Sequence, residues 1–205
     1  MNNLTRPNYF LGLKIKNADI QSGLKLVQTD ILNRFAPLNR SKIQAEKFHL
    51  TVFVMTLDES KGDLEKVKQL LPMIRDEMLK VYKVDTLPPR VEVHGIGSFN
   101  DRVLWAGIKD GEQSDQLTQF VKFTTQLFQK NGINVEDRWS PHITLFKGKF
   151  SQDFKNAVSY TQRVETNYTN KAFGIQEFDS MELMKIGSTD KVTGYYNILS
   201  SVSLK

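Results

Sequence analysis

The sequence predicts an α+β fold of two similar lobes around a shared cleft, spanning residues 1–205 as one domain. Three observations carry this. First, His-x-Thr occurs twice, as His49-Leu50-Thr51 and His142-Ile143-Thr144, each inside an apolar, β-branched run that reads as a strand. Second, the two motifs lie 93 residues apart, and their surroundings superpose at that same offset. Leu11 falls on Leu104, Ile15 on Ile108, Leu24 on Leu117, Val27 on Phe120 and Phe35 on Phe128. Third, strand, helix, loop and motif strand follow one another in both units with no net insertion.

The elements follow in order. Residues 9–15 read as a first strand. Asn17 caps a helix whose apolar positions Ile20, Leu24, Val27, Ile31 and Phe35 recur at spacings of three and four. Pro37-Leu38-Asn39 ends it, and a polar loop leads to the first motif strand. A second helical pattern runs from about residue 64 to 82. Pro72 either kinks it or starts a new helix there. Pro88-Pro89 closes that section. Residues 90–99 and 103–109 form a hairpin joined at Asn100-Asp101-Arg102. Leu117, Phe120, Val121, Thr124, Leu127 and Phe128 make a helical stripe, with Gly132 just past its C-cap. The second motif strand follows. Residues 151–172 are polar and irregular or helical, and residues 173–186 and 194–204 read as a closing pair of strands.

Composition narrows the function classes. Charged residues are 25% and hydrophobic residues 40%, an ordinary globular mix. Lys+Arg number 28 against 23 Asp+Glu, and the net +5 favours an anionic partner such as nucleotide, RNA or a membrane surface. Cysteine is absent, which excludes disulfides, thiolate catalysis and cysteine-ligated zinc. No apolar run is long enough to span a bilayer, and the N-terminus lacks a signal-peptide core. A soluble intracellular protein, cytoplasmic or nuclear, is the expectation, with no membrane partner.

The duplicated motif points to a chemistry. Side chains at i and i+2 of a strand share a face, so each motif presents an imidazole beside a hydroxyl. Two imidazoles across a cleft can act as general base and general acid on a phosphodiester. Two threonine hydroxyls can donate to the phosphoryl oxygens. The catalytic candidates are therefore His49, Thr51, His142 and Thr144, in a scheme that needs no metal and no cofactor. His94 has no threonine two residues on and no repeat partner, so it reads as structural. Substrate-binding candidates are the aromatics Phe53 and Phe146, on the histidine face by strict alternation, with Phe10 and Phe173. Core packing is the competing reading for Phe53 and Phe146. Strict alternation points Lys147 away from His142, so a phosphate role for it requires a bulge or a strand end.

These residues resemble a known family. The paired motifs, with Arg6-Pro7-Asn8-Tyr9-Phe10-Leu11, Gly95-Ile96-Gly97-Ser98-Phe99, Pro141-His142-Ile143-Thr144 and Gly194-Tyr195-Tyr196, resemble the two-histidine (2H) phosphoesterase superfamily. Within it they are closer to the central domain of the A-kinase-anchoring-protein group than to the bacterial RNA-ligase-like group. The resemblance implies a bilobal LigT-like fold, two antiparallel-sheet lobes with helices outside. It implies metal-independent cleavage of 2′,5′-oligoadenylate, an antiviral second messenger, to AMP or a 2′,3′-cyclic end, and so antagonism of antiviral innate immunity. His49, Thr51, His142 and Thr144 match the family positions. Lys171-Ala172 stands before Phe173-Gly174 where the family has an arginine, a departure in a region of base or phosphate contacts. The kinase-anchoring helix of some relatives has no counterpart after the last strand, so a kinase regulatory subunit is not an expected partner. The same four residues also suit a 2′,3′-cyclic phosphodiesterase or an RNA-end processing enzyme. A nucleotide-binding module without turnover is the non-enzymatic alternative.

Overall fold

Apolar alternation and two amphipathic helices build one twisted sheet with helices on its buried face. The computed structural model describes residues 6–82, 89–137 and 139–205. The reading of residues 1–5, and of Pro88 in the Pro88-Pro89 break, lies outside them. Strands β1 (Tyr9–Lys14), β2 (His49–Met55), β3 (Arg90–Phe99), β4 (Val103–Ile108), β5 (Val135–Glu136), β6 (Ile143–Lys147), β7 (Ala172–Glu177), β8 (Ser180–Lys185) and β9 (Ile198–Ser203) form one antiparallel sheet. The order is β7-β3-β4-β6-β2-β1-β8-β9, with β5 paired to β2. The helices are α1 (Ala18–Arg34), α2 (Asp63–Leu70), α3 (Ile74–Val81), α4 (Glu112–Lys130) and α5 (Gln152–Thr161).

The repeat is real in space. The two motif strands β2 and β6 are neighbours at the centre, and each is followed outward by its own half: β1-β8-β9 on one side, β4-β3-β7 on the other. One registered pair, Leu50 opposite Ile143, joins the two motif strands. The helices sit on the sheet's core face. Asn17 caps α1 as expected, its side chain accepting from the backbone N–H groups of Asp19 and Ile20. Ile20, Leu24, Val27 and Ile31 are its buried stripe. The helices also cross between halves. Gly23 of α1 lies under Phe173 of β7, and Phe128 of α4 meets Phe53 of β2 edge-on at 5.2 Å.

Several expectations are refined. Pro72 sits in a 3-10 turn, Leu71–Met73, that separates α2 from α3. The hairpin at residues 100–102 is tight, with Asn100 and Asp101 both at positive φ. Gly132 is at φ 75, just past the Asn131 cap of α4. The expected closing strand over 173–186 is two strands on opposite halves. β7 pairs with β3, and β8 pairs with β1 and β9.

The same defect appears in both motif strands. β1 runs Leu11 opposite Phe53 and then Gly12 opposite Thr51, leaving Val52 as an extra residue. β4 runs Leu104 opposite Phe146 and then Trp105 opposite Thr144, leaving Leu145 extra. Each is a β-bulge one residue past the motif threonine, and each flips the alternation that follows. The second bulge is held by hydrogen bonds. The Leu145 carbonyl accepts from the Ile43 N–H at 2.9 Å and from the buried Gln28 amide of α1 at 2.9 Å.

Candidate active site

Register places the two motifs. With Leu50 opposite Ile143 in an antiparallel pair, His49 aligns with Thr144 and Thr51 with His142. Leu50 and Ile143 point into the core, so all four polar side chains take the other face. They line a cleft of about 630 Å³, within the range that suits a small organic ligand.

Both imidazoles are held alike. His49 Nδ1 lies 2.7 Å from the Lys47 carbonyl, and His142 Nδ1 lies 2.6 Å from the Ser140 carbonyl. A carbonyl only accepts, so each Nδ1 carries the proton and each Nε2 is left for the cleft. His49 Nε2 also lies 3.1 Å from Thr51 Oγ1. Burial lowers the His49 pKa to about 4, and the charges of His142 and Lys147 push the same way against the Lys47 carbonyl. The His142 pKa is lowered too, by burial and then by Lys147, against the Ser140 carbonyl.

The bulges decide which further side chains reach the cleft. Past Leu145 the alternation is inverted, so Phe146 turns into the core, fully buried, and Lys147 lines the cleft. The strict-alternation placement of Phe146 is thereby corrected, and the bulge that a phosphate role for Lys147 requires is present. Past Val52 the same inversion brings Val54 to the cleft. Phe53 borders the cleft, but it is 2% exposed and its ring packs on Phe128. Phe173 lies on edge strand β7 over Gly23, away from the cleft. Of the four aromatic candidates, Phe10 is the one whose ring stands against a motif imidazole, 5.2 Å from His49.

Sequence reasoning gave no role to Tyr196 and Lys47. Tyr196 lies edge-on to His49 at 5.3 Å and to Phe10 at 5.0 Å. Lys47 Nζ sits 5.0 Å from the Tyr196 ring centroid and donates to Thr189 at 2.7 Å. Both line the cleft. Tyr196 was visible in the quoted Gly194-Tyr195-Tyr196 block, but nothing in the sequence showed that its loop folds back over the first motif. Among the described residues, no group of three or more His, Cys, Asp or Glu side chains stands together as a metal-ligand set. No helix among them is long and apolar enough to cross a membrane.

Known proteins share this fold. E. coli LigT, in a crystal structure complexed with 3'-AMP, superposes with a TM-score of 0.61 at 16% identity, covering 97% of this chain and 98% of LigT. The MHV ns2 PDE domain superposes at 0.54 with 13% identity, covering 89% of this chain and 100% of that domain. Human A-kinase anchor protein 7 isoform gamma is 28% identical over 204 residues, 96% of this chain and 57% of the relative. The chain thus spans about half the length of that relative. Residues 7–204 match the model of the AKAP7 2'5' RNA ligase-like domain, and on a fold shared with LigT-type phosphoesterases the chain belongs to that family.

Proposed function

We propose that the protein is a 2′,5′-phosphodiesterase acting on 2′,5′-linked oligoadenylate by paired-histidine acid–base catalysis. The observation that carries the reading is the pair of imidazoles with Nδ1 tied back to a carbonyl and Nε2 facing one cleft. In a 2′,5′ linkage the free 3′-hydroxyl neighbours the phosphorus. One neutral Nε2 takes the proton of that hydroxyl as it attacks. The other imidazole, protonated, gives its Nε2 proton to the departing 5′-oxygen, leaving a 2′,3′-cyclic phosphate. The two groups finish with exchanged protonation states. Thr51 and Thr144 donate to the non-bridging oxygens, and Lys147 adds charge beside them. Phe10 and Tyr196 offer apolar walls for a base next to His49.

Two relatives support the substrate class without fixing it: LigT holds 3'-AMP, a nucleoside monophosphate, and ns2 carries a PDE domain. Purified protein incubated with chelator is expected to cleave 2′,5′-linked triadenylate faster than the 3′,5′-linked trimer or 2′,3′-cyclic AMP. His49→Ala and His142→Ala are each expected to lower kcat by about 10²–10⁴-fold with a native circular-dichroism spectrum. Equal rates on 2′,5′ and 3′,5′ linkages would overturn the substrate assignment. Undiminished turnover in either variant would overturn the mechanism.

A further inference from the structure

The two halves differ at the cleft in several places, and one difference lies directly opposite the motif threonines. Gly12 pairs with Thr51, and its repeat counterpart Trp105 pairs with Thr144. The register therefore puts an indole on the His142 side where the His49 side has a hydrogen. The surrounding sheet accommodates that indole. A Cβ on Gly97 would lie 2.3 Å from Trp105 Cη2, and one on Gly107 would lie 3.0 Å from Cζ3. Two glycines thus clear a flat seat on the sheet, and the ring lies across it. Phe99 lies beside the indole at 5.1 Å with planes 37° apart, and it meets the His142 ring at 5.0 Å. The indole itself is 6.5 Å from the same imidazole. Both aromatics are half-buried and stand outside the lining of the cleft proper.

Positive charge continues the surface. Arg102 at the β3–β4 turn and Lys149 beyond β6 are both exposed, and Gly148 N–H donates to the Arg102 carbonyl at 3.0 Å, which joins the two segments. Neither side chain makes an ion pair with a described residue. Aromatic faces beside a cationic strip are what a single-stranded nucleic acid needs, because stacking tolerates any base and the charges follow the backbone.

We propose that Trp105 and Phe99 form an outer base-stacking platform that, with Arg102 and Lys149, holds a further nucleotide of a single-stranded oligonucleotide running out of the cleft past His142. This deepens the phosphodiesterase reading and rests on it: the protein's substrate is a chain of three or more nucleotides, and the platform grips the part that is not cut.

Two measurements test it. The chain has two tryptophans, so Trp139→Phe leaves Trp105 as sole reporter. In a Trp139→Phe, His49→Ala background, 2′,5′-linked triadenylate is expected to quench Trp105 fluorescence and bind about 10-fold more tightly than the dimer. Separately, the kcat/KM ratio of trimer to dimer is expected to be about 10 in the wild type. It should fall toward one in Trp105→Leu and in Arg102→Glu/Lys149→Glu, a surface pair that leaves the core untouched. Cleavage with no quenching, or a length ratio unchanged in both variants, would overturn the platform and leave the phosphodiesterase reading standing. No turnover and no quenching would overturn both.

Discussion

Lys147 shows how much one side chain's direction matters. Its ammonium is exposed yet lines the cleft, and its charge lowers the pKa of both imidazoles. An anionic phosphodiester bound between them has the opposite effect. On the proposed mechanism Lys147 is both a phosphate contact and a brake on premature protonation of the acid. Replacing it with methionine keeps the stem and removes the charge. Lys147→Met is expected to raise the pKa of His49 and of His142, read from their Cε1 proton titrations by NMR. It should also weaken substrate binding, with KM up about 10-fold, the scale of one charge-assisted contact. Titrations that do not move would mean the ammonium is too well solvated to act on the histidines.

The direction of Lys147 is set one level up, by the strand that carries it. The bulge at Leu145 inverts every side chain that follows, and Gln28 of α1 supports that bulge from the core. The amide also donates to the Ile43 carbonyl at 2.8 Å, so one buried side chain ties helix, loop and motif strand together. Gln28→Leu fills nearly the same volume and leaves those two carbonyls one donor short. Stability is expected to fall by about 1–3 kcal/mol, measured as a lower urea midpoint at unchanged slope. If the bulge relaxes, kcat/KM should drop with it, although Gln28 lies outside the cleft. This is also where sequence reasoning stopped. The motif pair, the offset of 93 residues and both repeated helices were legible, because periodicity and duplication survive in a linear string. The bulges were not, because an extra residue in one strand is defined only against its partner. Strict alternation therefore placed Phe53 and Phe146 on the cleft face and Lys147 off it. The split of residues 173–186 into strands on opposite halves was hidden for the same reason: Phe178 and Asp179 look like any strand residues until pairing is known.

For the whole molecule, the two halves each hold one half-buried imidazole at their junction, and this links function to pH through both. Folding disfavours the imidazolium at each site: His49 is brought from 6.5 to about 4, and His142 is lowered as well. An unfolded chain takes up those protons near pH 6.5, where the native chain does not. Stability contributed by the neutral pair is therefore complete above pH 6.5 and is lost as pH falls toward the native values. For His49 alone the full loss is about 3 kcal/mol. The urea midpoint is expected to decline between pH 6.5 and pH 4.5, less so in His49→Asn, which cannot titrate. Catalysis pulls in the other direction. With both pKa values lowered, the free protein at neutral pH is expected to hold mainly neutral imidazoles, a base without an acid. The fraction with one proton on the pair grows as pH falls, so kcat/KM should peak on the acid side of 6.5 in a bell whose limbs belong to the pair. Bound substrate adds negative charge between the rings and raises both values, so the kcat profile should peak at higher pH than the kcat/KM profile. Rates on 2′,5′-linked triadenylate from about pH 4.5 to 8.5 decide the matter. A kcat/KM maximum above neutrality would show that the free site already holds its proton, and that burial does not set the working state of the two histidines.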